Sequence, residues 1–300
     1  MGKYDIKIDE INEKAVNETE KYILECEAKY HKQIDDIARN IKKQKDKVKF
    51  VLLAGPSSAG KTTTSKLLCQ SLNAVGFDAK SLSLDDFFVD RDETPLWEDG
   101  SKNFESVDAI DWTLFDKCVN ELLNQKKSKL PTYDFKSGKK FFSTGETEFR
   151  DGTIMVIEGL HALNPVIDNF IPKEFSKKIY LSVRADIIEN DKKLLDGNAI
   201  RFVRRLIRDL YTRGASIENT YEMWKYVRKG EELYIQPFKD TAQFYINSFH
   251  GYELCVYKTI LDHLKANGIN PESVNETVKG FKSIDKNLVP DTSLLQEFVH

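Results

Sequence analysis

The spacing of apolar residues divides the chain into a helical N-terminal part and a longer part in which strands and helices alternate. Residues 10–47 are highly charged and contain neither Gly nor Pro. Their apolar positions are Ile11, Ala15, Tyr22, Cys26, Tyr30, Ile34, Ile37 and Ile41. This spacing predicts one apolar stripe along a single long helix. We expect residues 1–47 to form a helical extension whose stripe packs on the following domain, mediates dimerisation or connects to a further region.

From residue 48 onward, short apolar runs alternate with amphipathic stretches, which is typical of an α/β fold. Predicted strands cover residues 48–54, 79–84, 153–157, 178–183 and 244–247, with a hairpin over 130–142 that turns at Ser137 and Gly138. Predicted helices cover residues 63–74, 112–124, 199–211 and 252–266. We therefore expect residues 48–300 to form one domain around a mainly parallel sheet, with ligands bound where the strands end.

The composition argues against several classes of protein. The 45 basic and 48 acidic residues give a formal net charge of -3, so nothing favours nucleic acid as a partner. The first ten residues do not resemble a signal peptide, and no apolar run approaches the roughly 18 residues needed to span a bilayer. The four cysteines show no metal-type spacing. We expect a cytoplasmic protein that binds neither nucleic acid nor a membrane.

A glycine-rich loop, residues 55–62, follows the first strand of this domain and precedes a predicted helix. It fits the pattern G-x-x-x-x-G-K-[ST], in which backbone N–H groups bind phosphate at a helix N-terminus. In such a loop Lys61 reaches the β- and γ-phosphates of a nucleotide, and the Thr62 hydroxyl ligates Mg²⁺. We expect nucleotide contacts from Gly55, Ser57, Ser58, Ala59, Gly60, Lys61, Thr62 and Thr63.

Acidic residues end two of the predicted strands. Asp85 and Asp86 follow strand 79–84, and Glu158 follows strand 153–157. Phosphoryl transfer to a hydroxyl needs one carboxylate to take the acceptor's proton and another to hold Mg²⁺. Beside a phosphate-binding loop we favour these roles over capping of a turn: Asp85 as the base or a metal ligand, Asp86 at the acceptor, and Glu158 at the metal.

Arginines mark the predicted helix 199–211. One face of this helix carries Arg201, Arg204, Arg205 and Arg208, and Arg213 follows the end of the helix. Such a stripe is usually a solvated face, but guanidinium groups near a phosphate-binding loop can neutralise a transferred phosphoryl group. We predict that residues 199–232 form a lid that closes with Arg205 and Arg208 over that group.

Six motifs in a fixed order resemble the uridine kinase and phosphoribulokinase family of P-loop kinases. They are the glycine-rich loop, S-L-D-D-F-F from residue 83, N-F-E-S-V-D from 103, P-T-Y-D-F from 131, I-E-G from 157, and R-R-L-I-R-D from 204 with R-G at 213 and 214. The resemblance covers residues 48–248. It implies a P-loop kinase three-layer sandwich with an arginine-bearing lid, and a kinase that uses ATP and Mg²⁺.

The resemblance also implies roles for individual residues. Asp85 matches the family's catalytic base, and Glu105 or Asp108 matches the acid that grips the ribose hydroxyls. Tyr133 lies in the hairpin that contacts the nucleobase. The lid motif, which the family uses at the substrate, comprises Arg204, Arg205, Arg208 and Arg213.

Two positions depart from the family pattern. The histidine that usually follows Y-D-F and recognises the base is absent, and Gly138 stands in its region. The lid motif R-G-R ends in Ala215 in place of its last arginine. A site that has lost its hydrogen-bond donors changes its substrate preference. The triphosphate side therefore matches the family, whereas the base-recognising side does not.

These motifs predict an ATP- and Mg²⁺-dependent kinase, with the 5′-hydroxyl of uridine or cytidine as the first choice of acceptor. A phosphosugar or a pantothenate-like acceptor is the alternative within the same reaction class. A regulatory P-loop ATPase without a small acceptor, or an ATP-binding scaffold, would share the loop but not the acceptor pocket. Formation of a homo-oligomer stays open.

Overall fold

The computed structural model describes residues 4–44, 47–142 and 144–299. The strands are β1 (Tyr4–Lys7), β2 (Phe50–Ala54), β3 (Asp78–Ser83), β4 (Lys127–Ser128), β5 (Pro131–Asp134), β6 (Lys139–Phe142), β7 (Thr147–Glu148), β8 (Thr153–Glu158), β9 (Ser176–Ser182), β10 (Ala185–Glu189), β11 (Lys192–Leu195) and β12 (Phe244–Asn247). The α-helices are α1 (Ile8–Asn17), α2 (Thr19–Lys42), α3 (Lys61–Ala74), α4 (Trp112–Gln125), α5 (Gly197–Thr212), α6 (Ile217–Tyr234), α7 (Glu253–Ala266), α8 (Glu272–Val278) and α9 (Gln296–Val299). Residues 1–3, 45 and 46 of the predicted extension, and 143 and 300 of the predicted domain, lie outside these ranges. None of the described helices is both long enough and apolar enough to cross a membrane.

A parallel sheet lies at the centre of the described chain, with the strand order β12–β9–β2–β8–β3. β2 and β8 are buried along their whole length, as expected for strands that are covered on both faces. The register places Leu53 of β2 and Ser83 of β3 on either side of Glu158 in β8. The carboxyl ends of these three strands therefore meet at one edge of the sheet.

Helices cover both faces of this sheet. On one face, Val51 and Leu53 join a core that contains the buried sides of α2, α3, α5 and α7. On the other face, Phe50 and Leu52 pack with Phe115 of α4. The alternation of β2 side chains between the two cores is that of a strand inside a layered structure. A three-layer α/β sandwich with a mainly parallel sheet confirms the predicted fold class.

The N-terminal region differs from the single long helix that the apolar spacing predicts. A strand, β1, comes first and pairs with β10 in a second sheet, and the helix is broken at Glu18, whose φ is -141°. The apolar stripe of α2 is buried against the same chain, as at Ile34 and Ile41. The hydroxyl of Tyr30 also lies 2.6 Å from Thr64 Oγ1 in α3. Of the three arrangements left open by the sequence, the structure shows packing on the following domain.

The predicted lid segment, residues 199–232, contains two helices instead of one. Most of α5 is buried, and α6 is not predicted by the sequence pattern. The buried face of α6 consists of Thr220, Val227, Gly230 and Glu231. Because this face is largely polar, it lacks the apolar periodicity by which helices are recognised in a sequence.

Candidate active site

The loop between β2 and α3 has an unusual backbone geometry, which the glycines in its sequence allow. Ser58 (φ +58°) and Gly60 (φ +92°) adopt left-handed conformations, which glycine reaches without strain. A Cβ on Gly60 would overlap the side chain of Leu294. Gly55 passes close to β9, where a Cβ would come within 2.6 Å of Leu181 O. Both glycines of the motif are therefore required by close approaches to other segments.

The end of the loop presents N–H groups that an anion can bind. Ala59 donates its N–H to Pro56 O at 3.1 Å, but the described residues offer no acceptor to the N–H groups of Gly60, Lys61 and Thr62. The Lys61 ammonium donates to Pro56 O at 3.4 Å. Unpaired N–H groups in the first turn of a helix carry partial positive charge. This arrangement fits the phosphate groups of a nucleotide.

Arginines of α5 hold the other side of the loop. Arg201 Nη1 donates to Ser57 O at 2.9 Å, and Arg205 Nη1 donates to Ser57 Oγ at 3.0 Å. Arg204 Nη1 donates to Ser58 O at 3.3 Å. Because these bonds join residues about 145 positions apart in sequence, the shape of the loop depends on the packing of α5.

The structure contradicts the predicted role of Arg204 in substrate binding. Its side chain is fully buried and forms two hydrogen bonds to Glu253 of α7, Nε to Oε2 at 2.6 Å and Nη2 to Oε1 at 2.9 Å. Nη2 also donates to Ser248 O at 2.7 Å. A guanidinium whose nitrogens all bond inside the core cannot contact a substrate. We therefore reassign Arg204 to the support of the loop.

Asp209 forms ion pairs with three arginines of α5 and of the turn that follows it. Its buried carboxylate contacts Arg205 Nε at 3.2 Å, Arg208 Nη2 at 3.0 Å and Arg213 Nε at 3.8 Å. The side chains of Arg205 and Arg208 are largely buried, whereas that of Arg213 is 55% exposed. An opposite charge offsets the repulsion among the three cations and fixes their directions. Arg205 and Arg208 thus remain candidates for contacts with a phosphoryl group.

Thr62 and Glu158 lie together at the edge of the sheet. The Thr62 hydroxyl donates to Glu158 Oε1 at 3.3 Å. Burial of Glu158, followed by the charge of Asp85, raises the pKa of this carboxyl to about 7, although the Lys61 ammonium acts in the opposite direction. Asp85 and Lys61 therefore lie close enough to Glu158 for their charges to act on its carboxyl group.

This group of side chains fits Mg²⁺. The described residues contain no cluster of three or more His, Cys, Asp or Glu side chains that could hold a metal ion alone. Mg²⁺ usually binds one or two protein carboxylates and completes its shell with phosphate and water oxygens. The hydroxyl of Thr62 and the carboxylates of Glu158 and Asp85 supply such hard oxygen donors. Because the negative charge of Asp85 contributes to the raised pKa of Glu158, a cation placed between the two carboxylates would be bound favourably.

Of the two acids predicted to grip the acceptor's hydroxyls, Glu105 lies near the loop. Burial raises the pKa of Glu105 to about 7, while the positive charges of Arg205 and Lys61 favour its ionised form. The negative charge of Asp85 also acts on it. Asp108, by contrast, is exposed. Glu105 is therefore the better candidate for contact with a substrate held beside Asp85.

Asp86 connects the hairpin β5–β6 to the turn that follows β3. One of its carboxylate oxygens accepts the N–H of Tyr133 at 3.1 Å. The buried ring of Tyr133 packs edge-on against Phe88 and Phe135, with centroid separations of 5.6 and 5.2 Å. Asp86 was predicted to contact the acceptor, and here it fixes the hairpin that would line the acceptor's pocket.

The tip of the hairpin is packed against Arg91. Gly138 has a φ of +71°, and a Cβ at this position would lie 2.7 Å from Arg91 Cβ. The N–H of Arg91 donates to Gly138 O at 2.9 Å, and its guanidinium donates to the carbonyls of Phe135 and Lys136. The space beside Gly138, where the family pattern leads one to expect a histidine, is therefore taken by Arg91.

Sequence reasoning missed two acids at the site. Glu231 of α6 is buried and bonds to Arg201, with Nη2 to Oε2 at 2.8 Å. Glu297 of α9 accepts the hydroxyl hydrogen of Thr63 at 2.9 Å. Neither acid belongs to a motif. The sequence offered one general expectation, that buried arginines require acidic partners. That expectation predicts that such acids exist but does not identify their positions.

Curated relatives share sequence with this chain over the region that contains the site. The uridine kinase of Deinococcus deserti is 27% identical over 195 residues, which cover 64% of this chain and 84% of that protein. The uridine kinase of Lactobacillus helveticus is 28% identical over 200 residues, which cover 66% of this chain and 84% of that protein.

Solved structures share the fold at lower sequence identity. YFH7 from Saccharomyces cerevisiae, described as a candidate P-loop kinase with a circular permutation, matches 74% of this chain with a TM-score of 0.51 and 13% identity. A candidate fructose transport system kinase from Silicibacter sp. TM1040 matches 71% with a TM-score of 0.50 and 15% identity. These matches cover 99% and 98% of the respective structures, and they support the α/β fold.

A family model described as "Phosphoribulokinase / Uridine kinase family" matches residues 50–253. The matched region runs from the first residue of β2 to the first residue of α7, and it contains every acid and arginine of the site except Glu297. The match confirms the predicted enzyme class, a phosphotransferase that acts on a hydroxyl group. The chain belongs to the phosphoribulokinase and uridine kinase family of P-loop kinases.

Proposed function

We propose that the protein transfers the γ-phosphate of ATP to a hydroxyl of a small acceptor, with the 5′-hydroxyl of uridine or cytidine as the first candidate. The observation that carries the proposal is the grouping of Lys61, Glu158, Asp85 and Glu105 within electrostatic reach of one another at the end of the loop. The curated relatives named uridine kinase support the choice of acceptor.

On the phosphate side, Lys61 and the unpaired N–H groups of Gly60 and Thr62 bind the β- and γ-phosphate oxygens. Thr62 and Glu158 are the residues that would hold Mg²⁺, which would neutralise charge on the phosphate oxygens, and the carboxylate of Asp85 lies near them. Arg205 and Arg208, aimed by Asp209, add positive charge where it develops on the transferred group. Little covalent chemistry is required of the protein, since positioning and charge stabilisation supply most of the rate.

On the acceptor side, Asp85 takes the proton from the attacking hydroxyl. Glu105 accepts hydrogen bonds from neighbouring hydroxyls of the acceptor, and the Tyr133 region supplies an aromatic surface for a flat ring. Because Glu105 lies near both Arg205 and Asp85, binding of the acceptor is coupled electrostatically to the reacting groups.

A coupled assay of ADP release tests the proposal. The purified protein with ATP and Mg²⁺ is screened against nucleosides, sugar phosphates and pantothenate, with an acceptor-free reaction as the control. Stimulation by uridine or cytidine is the expected result. Stimulation by another acceptor would keep the kinase and change its substrate. ADP release that no acceptor accelerates would overturn the kinase and favour a regulatory ATPase.

A further inference from the structure

The C-terminal segment of the described chain places a carboxylate on the phosphate-binding loop. Glu297 Oε2 accepts the hydroxyl hydrogen of Thr63 at 2.9 Å and lies 3.4 Å from the N–H of the same residue. Thr63 is the third residue of α3, so its N–H belongs to the first turn, whose donors have no acceptor within the helix. A negative group of the protein itself thus occupies one of the positions that bind anions.

Packing on both sides of Glu297 fixes this position. Leu294 lies against Gly60, and Phe298 lies over the Arg204 guanidinium at 5.3 Å from the ring centroid. Further back, the Ser293 hydroxyl donates to Glu27 of α2 at 2.7 Å. Leu294 and Phe298 are fully buried. Glu297 is therefore held at the loop by an anchored segment and does not reach it as a mobile surface side chain.

The contact involves a part of the chain that lies outside the region matched by the family model. The family model ends at residue 253, whereas Glu297 lies 44 residues further on. Within the loop and the turn that follows it, backbone N–H groups of this kind bind the α- and β-phosphates of a nucleotide. An α-phosphate that approached Thr63 would meet the carboxylate of Glu297, and like charges at such distances repel strongly in a partly buried site.

We propose that Glu297 competes with the α-phosphate of the nucleotide for Thr63, so that the C-terminal segment lowers nucleotide affinity until its carboxylate moves aside. This inference rests on the proposed nucleotide site. The charge of the C-terminal segment, and not only the shared loop, then sets how much ATP or ADP the enzyme needs. The device is an autoinhibitory contact built from residues outside the catalytic motifs.

A different role for Glu297 would change nucleotide affinity in the opposite direction. A negative charge near a helix N-terminus stabilises the helix, and Thr63 lies in its first turn. If Glu297 only supported the loop, its removal would loosen the loop and weaken nucleotide binding. If it competes with the α-phosphate, its removal strengthens binding. The sign of the change in the dissociation constant therefore separates the two roles.

The test is the variant Glu297→Gln, which keeps the length of the side chain and an acceptor for the Thr63 hydroxyl but removes the charge. Binding of MgADP is measured by titration calorimetry in the absence of any acceptor. We expect the dissociation constant of the variant to be about 10-fold lower than that of the wild type. Glu272→Gln, which neutralises an exposed acid of α8, is the matched control and should bind MgADP like the wild type.

Equal or weaker binding by Glu297→Gln would overturn the inference while leaving the nucleotide site intact. If neither protein bound MgADP, the proposed nucleotide site would fail together with it. Thermal unfolding of each variant shows whether a change in MgADP binding results from misfolding. If Glu297 competes with the nucleotide, MgADP should raise the melting temperature of Glu297→Gln by more than it raises that of the wild type. This difference is expected even if the unliganded variant is less stable than the unliganded wild type.

Discussion

The two sides of the active site are held in place by different kinds of interaction. On the phosphate side, the ion pairs Arg204–Glu253 and Arg201–Glu231 have almost no exposure to solvent. On the acceptor side, the hairpin β5–β6 is held by a bond from Asp86, by the ion pair Lys140–Asp111 at 2.7 Å, by packing of Tyr133 on Phe88, and by contacts of Arg91 with its exposed tip. Buried ion pairs hold the loop of the proposed nucleotide site, whereas a small hairpin would line the proposed acceptor pocket.

This difference explains where the chain can change. Replacing one member of a buried ion pair leaves the other charged and unpaired, which costs several kcal/mol of folding free energy. Side chains of β6 that point into solvent can be replaced at a lower cost, because few contacts hold them. Gly138 and Arg91, which lie where the family pattern leads one to expect the base-recognising histidine, pack closely against each other at the tip of this hairpin.

The largest effect should follow removal of the loop lysine. Lys61→Ala should reduce kcat by about 10³-fold or more, because the ammonium that faces the phosphate groups is lost. The fold should be unaffected, since the Lys61 ammonium makes one long hydrogen bond, to Pro56 O at 3.4 Å, within the part of the chain that the structure describes. Steady-state kinetics would check this, with the exposed Lys66→Ala of the same helix as the control. Undiminished turnover in Lys61→Ala would refute the phosphate-side assignment.

The next largest effect should come from Asp85, where the two sides meet. Asp85→Asn should reduce kcat by about 10²- to 10⁴-fold, because the amide cannot take the proton of the acceptor. Affinity for MgADP should change little, and calorimetry would measure it. A parallel loss of MgADP affinity would instead show that Asp85 acts mainly as a metal ligand. Asp86→Asn is the comparison, and it should raise the acceptor's KM more than it lowers kcat.

Breaking a buried ion pair should destabilise the whole fold. Glu253→Gln should lower the free energy of unfolding by about 3–5 kcal/mol, because the fully buried guanidinium of Arg204 loses its charged partner. Urea denaturation followed by circular dichroism would measure the change. Glu276→Gln breaks an exposed pair with Lys279 and should leave stability almost unchanged. Equal stability of the two variants would argue against the importance of the buried pair.

Glu158 should make the protein less stable as pH rises. Its pKa is raised from an ordinary value of 4.5 to about 7, so the folded state binds this proton more tightly than the unfolded state. The stability that this proton contributes is complete below pH 4.5 and is lost progressively up to pH 7. Without nucleotide and Mg²⁺, Glu158→Gln should therefore stabilise the fold by about 2–3 kcal/mol more at pH 8 than at pH 5.

Thermal or urea unfolding of the wild type and Glu158→Gln at both pH values would check that prediction. The same variant should have little kinase activity, because the carboxylate next to Thr62 is lost. A stabilising effect that did not depend on pH would mean that burial of the side chain, and not its ionisation, controls stability at this position.

The smallest effect should be confined to the acceptor side. Gly138→Ala should raise the acceptor's KM about fivefold, because a Cβ at φ +71° is strained and would meet Arg91. Affinity for MgADP should stay the same. Gly152→Ala has a similar φ of +86° but open space around the new Cβ, so it controls for backbone strain alone. A change in MgADP affinity in Gly138→Ala would contradict the assignment of the hairpin to the acceptor side alone.

Local patterns were sufficient to predict the loop, the five strands of the central sheet and the acids that end two of them, but not the second sheet, β1–β10–β11. The strand before the loop was predicted over 48–54 and is observed as Phe50–Ala54, and the last strand of the sheet was predicted at its observed position. The prediction failed where burial is polar, as in α6, and where one unfavourable residue conformation breaks a helix, as at Glu18. In both cases the spacing of apolar residues carries no information about the interaction that determines the local structure.

The sequence by itself determined where the phosphate-binding loop lies, because the glycine pattern and the strand and helix that flank it are local features. Only the tertiary structure decided the roles of the arginines in α5. Arg204 and Arg205 are neighbours, yet one pairs with Glu253 in the core and the other reaches Ser57 at the loop. Likewise, Glu297 meets Thr63 across 234 positions. Contacts between distant residues fix which charges are buried and which can act, and no local pattern carries that information.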